Sequence, residues 1–165
     1  MDKRTILPYY PYGLKCIHTR KPNDPFRIVS LHNEHLVLQD LWERTFKISY
    51  TDEAYRMVLR PLSALTTSIK VNKMQVTTAD LIYQTICKTC DLYLKDWDRE
   101  WIVQKITDYF SNRGLSPFSR NTMNEIYYIL QVLHFDLSGL IQRKEAISAL
   151  ELPFDPYEFD EDIPV

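Results

Sequence analysis

Four side chains, His32, His35, Cys87 and Cys90, are of the types from which a metal or redox site is built. Cys87-Lys-Thr-Cys90 is a C-x-x-C. Such a pair reads as redox-active when its first thiol opens a helix, where the dipole lowers thiol pKa. Here the motif falls well inside a predicted helix, with Cys90 on the apolar stripe, so both thiols read as core. His32-Asn-Glu-His35 lies on a predicted turn, and with the two cysteines it would complete a Cys2His2 zinc set. The long gap between His35 and Cys87 is unlike a zinc finger, so the expectation is exposed turn histidines and no metal. His134-Phe-Asp136 offers an acid and a base. Neighbouring residues on a helix do not face each other, so Asp136 reads as a cap for the next helix and Phe135 as core. Trp97 and Trp101, at i and i+4, are able to stack on bases, but large aromatics normally bury.

No other chemistry presents itself. The chain of 165 residues holds three Gly, and neither G-x-G-x-x-G nor G-x-x-x-x-G-K occurs. Without a nucleophile–base context or a glycine-rich phosphate loop, the expectation is a protein without enzymatic activity and without a cofactor.

The segment that points to function is the last one. Residues 151–165 hold six carboxylates (Glu151, Asp155, Glu158, Asp160, Glu161, Asp162) and no Lys or Arg. Phe154, Tyr157, Phe159, Ile163 and Val165 interleave with them, and Pro153, Pro156 and Pro164 disfavour helix. This reads as an extended, acidic tail of the kind a basic groove with apolar pockets holds. The expected partner-binding residues are Phe159, Asp160, Glu161, Asp162, Ile163 and Val165. The net charge of −2 hides an asymmetry. Without the six tail acids, 16 carboxylates face 20 Lys and Arg, so residues 1–150 carry about +4. The tail is therefore able to fold back on its own body or to engage another basic protein. Lys3, Arg4, Lys15, Arg20, Lys21 and Arg27 crowd the N-terminal segment among Tyr9, Tyr10, Tyr12 and Phe26. That is a sparse nucleic-acid footprint, and a solvated edge is the expected reading.

These residues need elements to position them. Length and composition suit one domain, residues 1–150, followed by the tail, residues 151–165. Strands are expected over residues 14–18, 26–31, 36–39 and 46–50, with turns at 21–25 and at His32–His35. Residues 53–59 fit a strand or one helical turn. Pro61 suits a helix start, with a helix over 62–69 and a connector over 70–76. Thr77 or Thr78 caps a helix to about 94, with Ile82, Ile86, Cys90 and Tyr93 on one face. Asp98 opens the next helix, and Gly114 stops it. Thr122-Met-Asn-Glu125 reads as a capping box. Residues 137–150 read as a final helix or two. Strands first and helices second give an α+β fold, a small antiparallel sheet packed against a helical layer. Three Cys and no signal peptide suit a reduced, cytosolic protein, and no apolar run is long enough to span a bilayer.

Three segments carry a resemblance: Pro11-Tyr-Gly-Leu-Lys-Cys16, Leu59-Arg-Pro-Leu-Ser-Ala-Leu65 and His134-Phe-Asp-Leu-Ser-Gly-Leu-Ile141. In this order they resemble small phage and prophage proteins of Bacteroides-type bacteria, a family without a known catalytic role. The resemblance implies a mobile-element origin and the bacterial host cytoplasm. Asp160-Glu-Asp-Ile-Pro-Val165 also resembles the acidic tip of single-stranded DNA-binding proteins, with Val165 where that family has an aromatic. That likeness implies docking on a basic, nucleic-acid-handling protein of host or phage. A narrower form is an anti-CRISPR-like inhibitor of a host defence nuclease, with carboxylates in a nucleic-acid-binding groove. A third reading is weak nucleic-acid binding with a tail that competes for the chain's own basic face.

Overall fold

Alternating apolar residues in the first half of the chain form strands. The structure is a computed structural model that describes residues 1–71, 74–90, 99–112, 115–116 and 118–158, with Cys90 and Asn112 described in backbone alone. The strands are β1 (Lys15–His18), β2 (Lys21–Leu31), β3 (His35–Gln39), β4 (Thr45–Ser49), β5 (Tyr55–Leu59), β6 (Ser68–Val71), β7 (Met74–Thr77) and β8 (Ala146–Ser148). The helices are α1 (Lys3–Ile6), α2 (Thr78–Cys90), α3 (Arg99–Asn112) and α4 (Arg120–Val132). Six strands make one sheet in the order β4-β3-β2-β1-β5-β8, and β6 and β7 make a separate hairpin. All neighbours in the large sheet are antiparallel except β5 and β8, which are parallel. A mostly antiparallel sheet in the first half and helices in the second make this an α+β fold.

The parallel pair dictates the architecture. Parallel neighbours need a long crossover, and here residues 60–145 supply it, with α2, α3 and α4 inside. The crossover leaves and returns at one place. Arg60 N donates to the His134 carbonyl at 2.8 Å, and Asp136 N donates to the Arg60 carbonyl at 2.8 Å. The molecule is thus a sheet lobe and a helical lobe joined at this double crossing. Ile82, Ile86, Ile102, Ile106, Ile126 and Leu130 fill the helical core. Cys16, Ile28, Leu36, Leu38, Met57 and Leu59 face one side of the sheet, covered by Ile6, Tyr9 and Leu140. The other side buries Ile17 and Val58 against Ala149 and Tyr157.

Several expectations are corrected. Residues 21–25 are the start of β2, not a turn, and the reversal lies at Thr19-Arg20. Pro22 and Pro25 push Lys21 and Asp24 into extended backbone, which serves a strand as well as a turn. The stretch 62–69 is a 3-10 turn (Leu62–Thr66) followed by β6, where the β-branched Thr67, Ile69 and Val71 favour extension. The cap of α4 is Ser119, whose hydroxyl accepts from Thr122 N at 3.3 Å. Thr122 therefore stands one turn inside the helix. Residues 137–150 are not helical but form turns, then β8, then a 3-10 turn over Ala149–Glu151. Asp136 explains this. Its carboxylate accepts from the N–H groups of Ser138, Leu140 and Ile141 at 3.2, 2.9 and 2.8 Å. A side chain that gathers three backbone donors competes with a helix for them. Gly139, at φ +69, and Lys144, at φ +60, complete the turns.

Candidate functional site

The expected partner-binding residues Phe159, Asp160, Glu161, Asp162, Ile163 and Val165 lie outside the described residues. The near half of the acidic segment is described, and it is docked rather than free. Packing continues past residue 150 to Tyr157, which is 1% exposed.

The anchor is built at the double crossing. β5 ends in the buried run Met57–Leu59 and delivers Arg60, only 3% exposed, into the junction. Its Nη1 donates to the Leu133 carbonyl at 2.6 Å, and its Nη2 pairs with Asp155 Oδ2 at 2.8 Å. Leu133 caps the end of α4 and delivers His134 in the left-handed region, at φ +59. The His134 ring stacks on Tyr157 with centroids 4.1 Å apart and planes 9° apart. Arg60 lies 4.9 Å from the centroid of the same Tyr157 ring, and Lys15 Nζ lies 5.7 Å from it. The Tyr157 hydroxyl donates to the Val58 carbonyl at 2.6 Å and accepts from Lys15 N at 3.3 Å. Lys15 Nζ also donates to the Pro156 carbonyl at 2.7 Å. Asp155 Oδ1 accepts from Tyr157 N at 3.0 Å and shapes the Asp-Pro-Tyr turn.

At the anchor Arg60 pairs with the Asp155 carboxylate, while His134 and Lys15 lie against the Tyr157 ring. Neither His134 ring nitrogen has a hydrogen-bond partner among the described residues, and both are buried. Burial first, then the Arg60 charge and further off Lys15, hold His134 well below the ordinary histidine range. The Tyr12 backbone works the other way in smaller measure. His134 is thus neutral in the folded protein. A cavity of about 240 Å³ borders the docked segment, with Arg60, Ile69, Leu152, Phe154 and Asp155 in its walls.

The remaining candidates are scattered. Cys87 is a free, half-buried thiol late in α2, and the Cys90 side chain is outside the described residues. His32 and His35 stack on each other at 4.5 Å beside the β2–β3 turn, and burial together with His32 and Lys47 lowers the His35 pKa. Among the described residues no three His, Cys, Asp or Glu side chains gather as a metal set. Trp97 is outside the described residues, while Trp101 is part-exposed against Phe118. Of the basic N-terminal residues, Lys15 is the one at the anchor. Two adjoining cavities of about 430 and 450 Å³ lie between the lobes, with Tyr9, Tyr127 and Arg143 among their walls and Phe110, Leu137 and Ser138 shared. Burial raises Tyr9 and Tyr127 to about 12, so both stay protonated phenols.

Arg60 and Lys15 as a pair were not legible as site residues. The available signal was Arg60 itself, a charge directly after the apolar run Met57–Leu59. The three segments that carry the phage-protein resemblance meet here through Lys15, Arg60 and His134. No helix among the described residues is long and apolar enough to cross a membrane. Compared with known proteins, the chain matches no family model, no curated protein and no solved structure.

Proposed function

We propose that this chain is a non-enzymatic phage or prophage accessory protein. In this reading it acts in the bacterial host cytoplasm by binding a basic, nucleic-acid-handling protein, partly through Phe159, Asp160, Glu161, Asp162, Ile163 and Val165. The observation that supports it is the buried Tyr157 anchor. The acidic run comes directly after it in sequence, so it issues from a fixed point on the body, and a ligand tethered at one end loses less freedom on binding. Carboxylates steer the encounter with a basic surface, and apolar residues slow dissociation. The test uses a partner recovered from host lysate and then purified. Charge reversal at Asp160, Glu161 and Asp162 should lower its association rate most at low salt, where screening is weakest. Equal binding by a chain lacking residues 159–165 would sink the proposal.

One observation favours a second reading. The docked segment already covers Lys15, one of the basic N-terminal residues. If the body binds single-stranded nucleic acid there, Tyr157→Ala should tighten binding in a gel-shift titration, with a steep salt dependence. No shift for either protein removes this reading.

A further inference from the structure

We propose that Lys15, Arg60 and His134 form a peptide socket, specific for a tyrosine preceded two residues earlier by a carboxylate, which the chain's own Asp155–Tyr157 fills as a displaceable latch. This stands apart from the reading of the terminal acids, since every group it uses lies within residues 15–157.

The socket is matched to a tyrosine rather than to any apolar group. At its floor the sheet presents one acceptor, the Val58 carbonyl, and one donor, Lys15 N, both within reach of the same hydroxyl. They belong to β5 and β1, one residue past the Cys16–Met57 pair, so the phenol closes the ladder where backbone pairing stops. A phenylalanine would take this hydroxyl away from both backbone groups. The ring itself lies flat on the His134 imidazole and near the Arg60 guanidinium. The carboxylate requirement comes from Arg60. Its other hydrogen bond is to the Leu133 carbonyl and its other neighbour is the Tyr157 ring, so without Asp155 its buried charge has no carboxylate partner among the described residues. The spacing comes from the turn, in which Asp155 Oδ1 receives Tyr157 N while Oδ2 receives Arg60.

The latch is displaceable because its hold is narrow. Of residues 152–158 only Pro156 and Tyr157 are buried, and the cavity of about 240 Å³ runs alongside the segment. With the segment docked, both His134 nitrogens are buried and have no hydrogen-bond partner among the described residues, and opening would expose them to water. A partner that carries the same acidic-aromatic element competes for the socket. On displacement, the segment is released from the body.

The probe is the acetylated peptide Leu-Pro-Phe-Asp-Pro-Tyr-Glu, the sequence of residues 152–158. It is titrated into full-length wild type, Tyr157→Ala and Asp155→Ala, each first checked for native far-UV circular dichroism. The expected result is saturable binding to Tyr157→Ala, about tenfold or more weaker in wild type, where the tethered copy competes at high effective concentration. Asp155→Ala keeps the ring and should fall between them, so it serves if Tyr157→Ala does not fold. A peptide carrying Tyr157→Phe or Asp155→Asn should bind each host more weakly. Folded Tyr157→Ala without saturable binding would overturn the socket. So would equal affinities for wild type and Tyr157→Ala, because the peptide would then sit elsewhere.

Discussion

At the scale of single residues, His134 makes the sharpest statement. It is neutral when folded, because burial and two neighbouring cations oppose its charge. Unfolded, it titrates near ~6.5. Below that pH the unfolded chain takes up a proton that the folded chain refuses. Its contribution is therefore fully present above about pH 6.5 and is lost as pH falls, by up to ~1.4 kcal/mol per unit. Denaturant titrations of wild type and His134→Asn at pH 7.5 and 5.5 check this. Asn tolerates the left-handed backbone, and the variant should show the shallower pH dependence. Parallel slopes would place the acid sensitivity elsewhere. Tyr157 gives a second prediction. Truncating a buried ring costs ~3–5 kcal/mol, so Tyr157→Ala should unfold at clearly lower denaturant. Tyr157→Phe should lose about 1–3 kcal/mol, as the Val58 carbonyl goes unpaired. Phe135 was legible as a core aromatic; Asp136 was legible as an acid that takes backbone N–H groups, but it shapes a turn where a capped helix was expected. The partnership of Arg60 with Asp155 was not legible, because 95 residues separate them and no local spacing encodes such a contact.

At the scale of elements, periodicity located what is regular and misjudged what is held by side chains. The strands β1, β3 and β4 and the three long helices fall where their apolar patterns put them, while the pattern left β5 open between a strand and a helical turn. The failures fall where a polar side chain redirects the backbone. Asp136 turns residues 137–145 away from a helix by taking three of their N–H groups. The next strand, β8, is too short to announce itself, since it has three residues and depends on β5 for its pairing. The start of α4 shows the same limit. Ser119 and Thr122 both fit a cap by type, and their hydroxyls touch each other at 2.9 Å. The geometry separates them, because Ser119 has extended backbone and Thr122 is buried in the first turn. Ser119→Ala should therefore cost ~1 kcal/mol. Glu125→Ala, which a capping box at Thr122 would make costly, should change stability by less than ~0.5 kcal/mol, as for other exposed sites. Thermal melts of the two variants decide between the registers, and the reverse order of effects would restore the box.

At the scale of the whole molecule, the chain crosses between lobes twice at one point and then seals that point with its own C-terminal segment. Arg60, His134 and Asp136 form the crossing, and Tyr157 and Asp155 close over it. The segment that composition marks off as an acidic tail is thus two things in sequence. Residues 151–158 are part of the packed body, and the acidic run continues beyond them. Two deletions therefore test different things. Removing residues 151–165 takes away the Tyr157 ring, the Asp155 partner of a buried arginine and the Pro156 acceptor of Lys15. Its stability loss should match or exceed the ~3–5 kcal/mol of the ring alone. By the size scaling of unfolding entropy, that is about 10 °C or more in melting temperature for a chain of this length. Removing residues 159–165 leaves every described contact in place, so its loss in melting temperature should be the smaller of the two. Binding lost by the longer deletion alone would then report a damaged junction, whereas binding lost by the shorter one reports the acidic run itself. If the shorter deletion melts as low as the longer, Tyr157 is not where the body ends, and the packed body extends into residues 159–165.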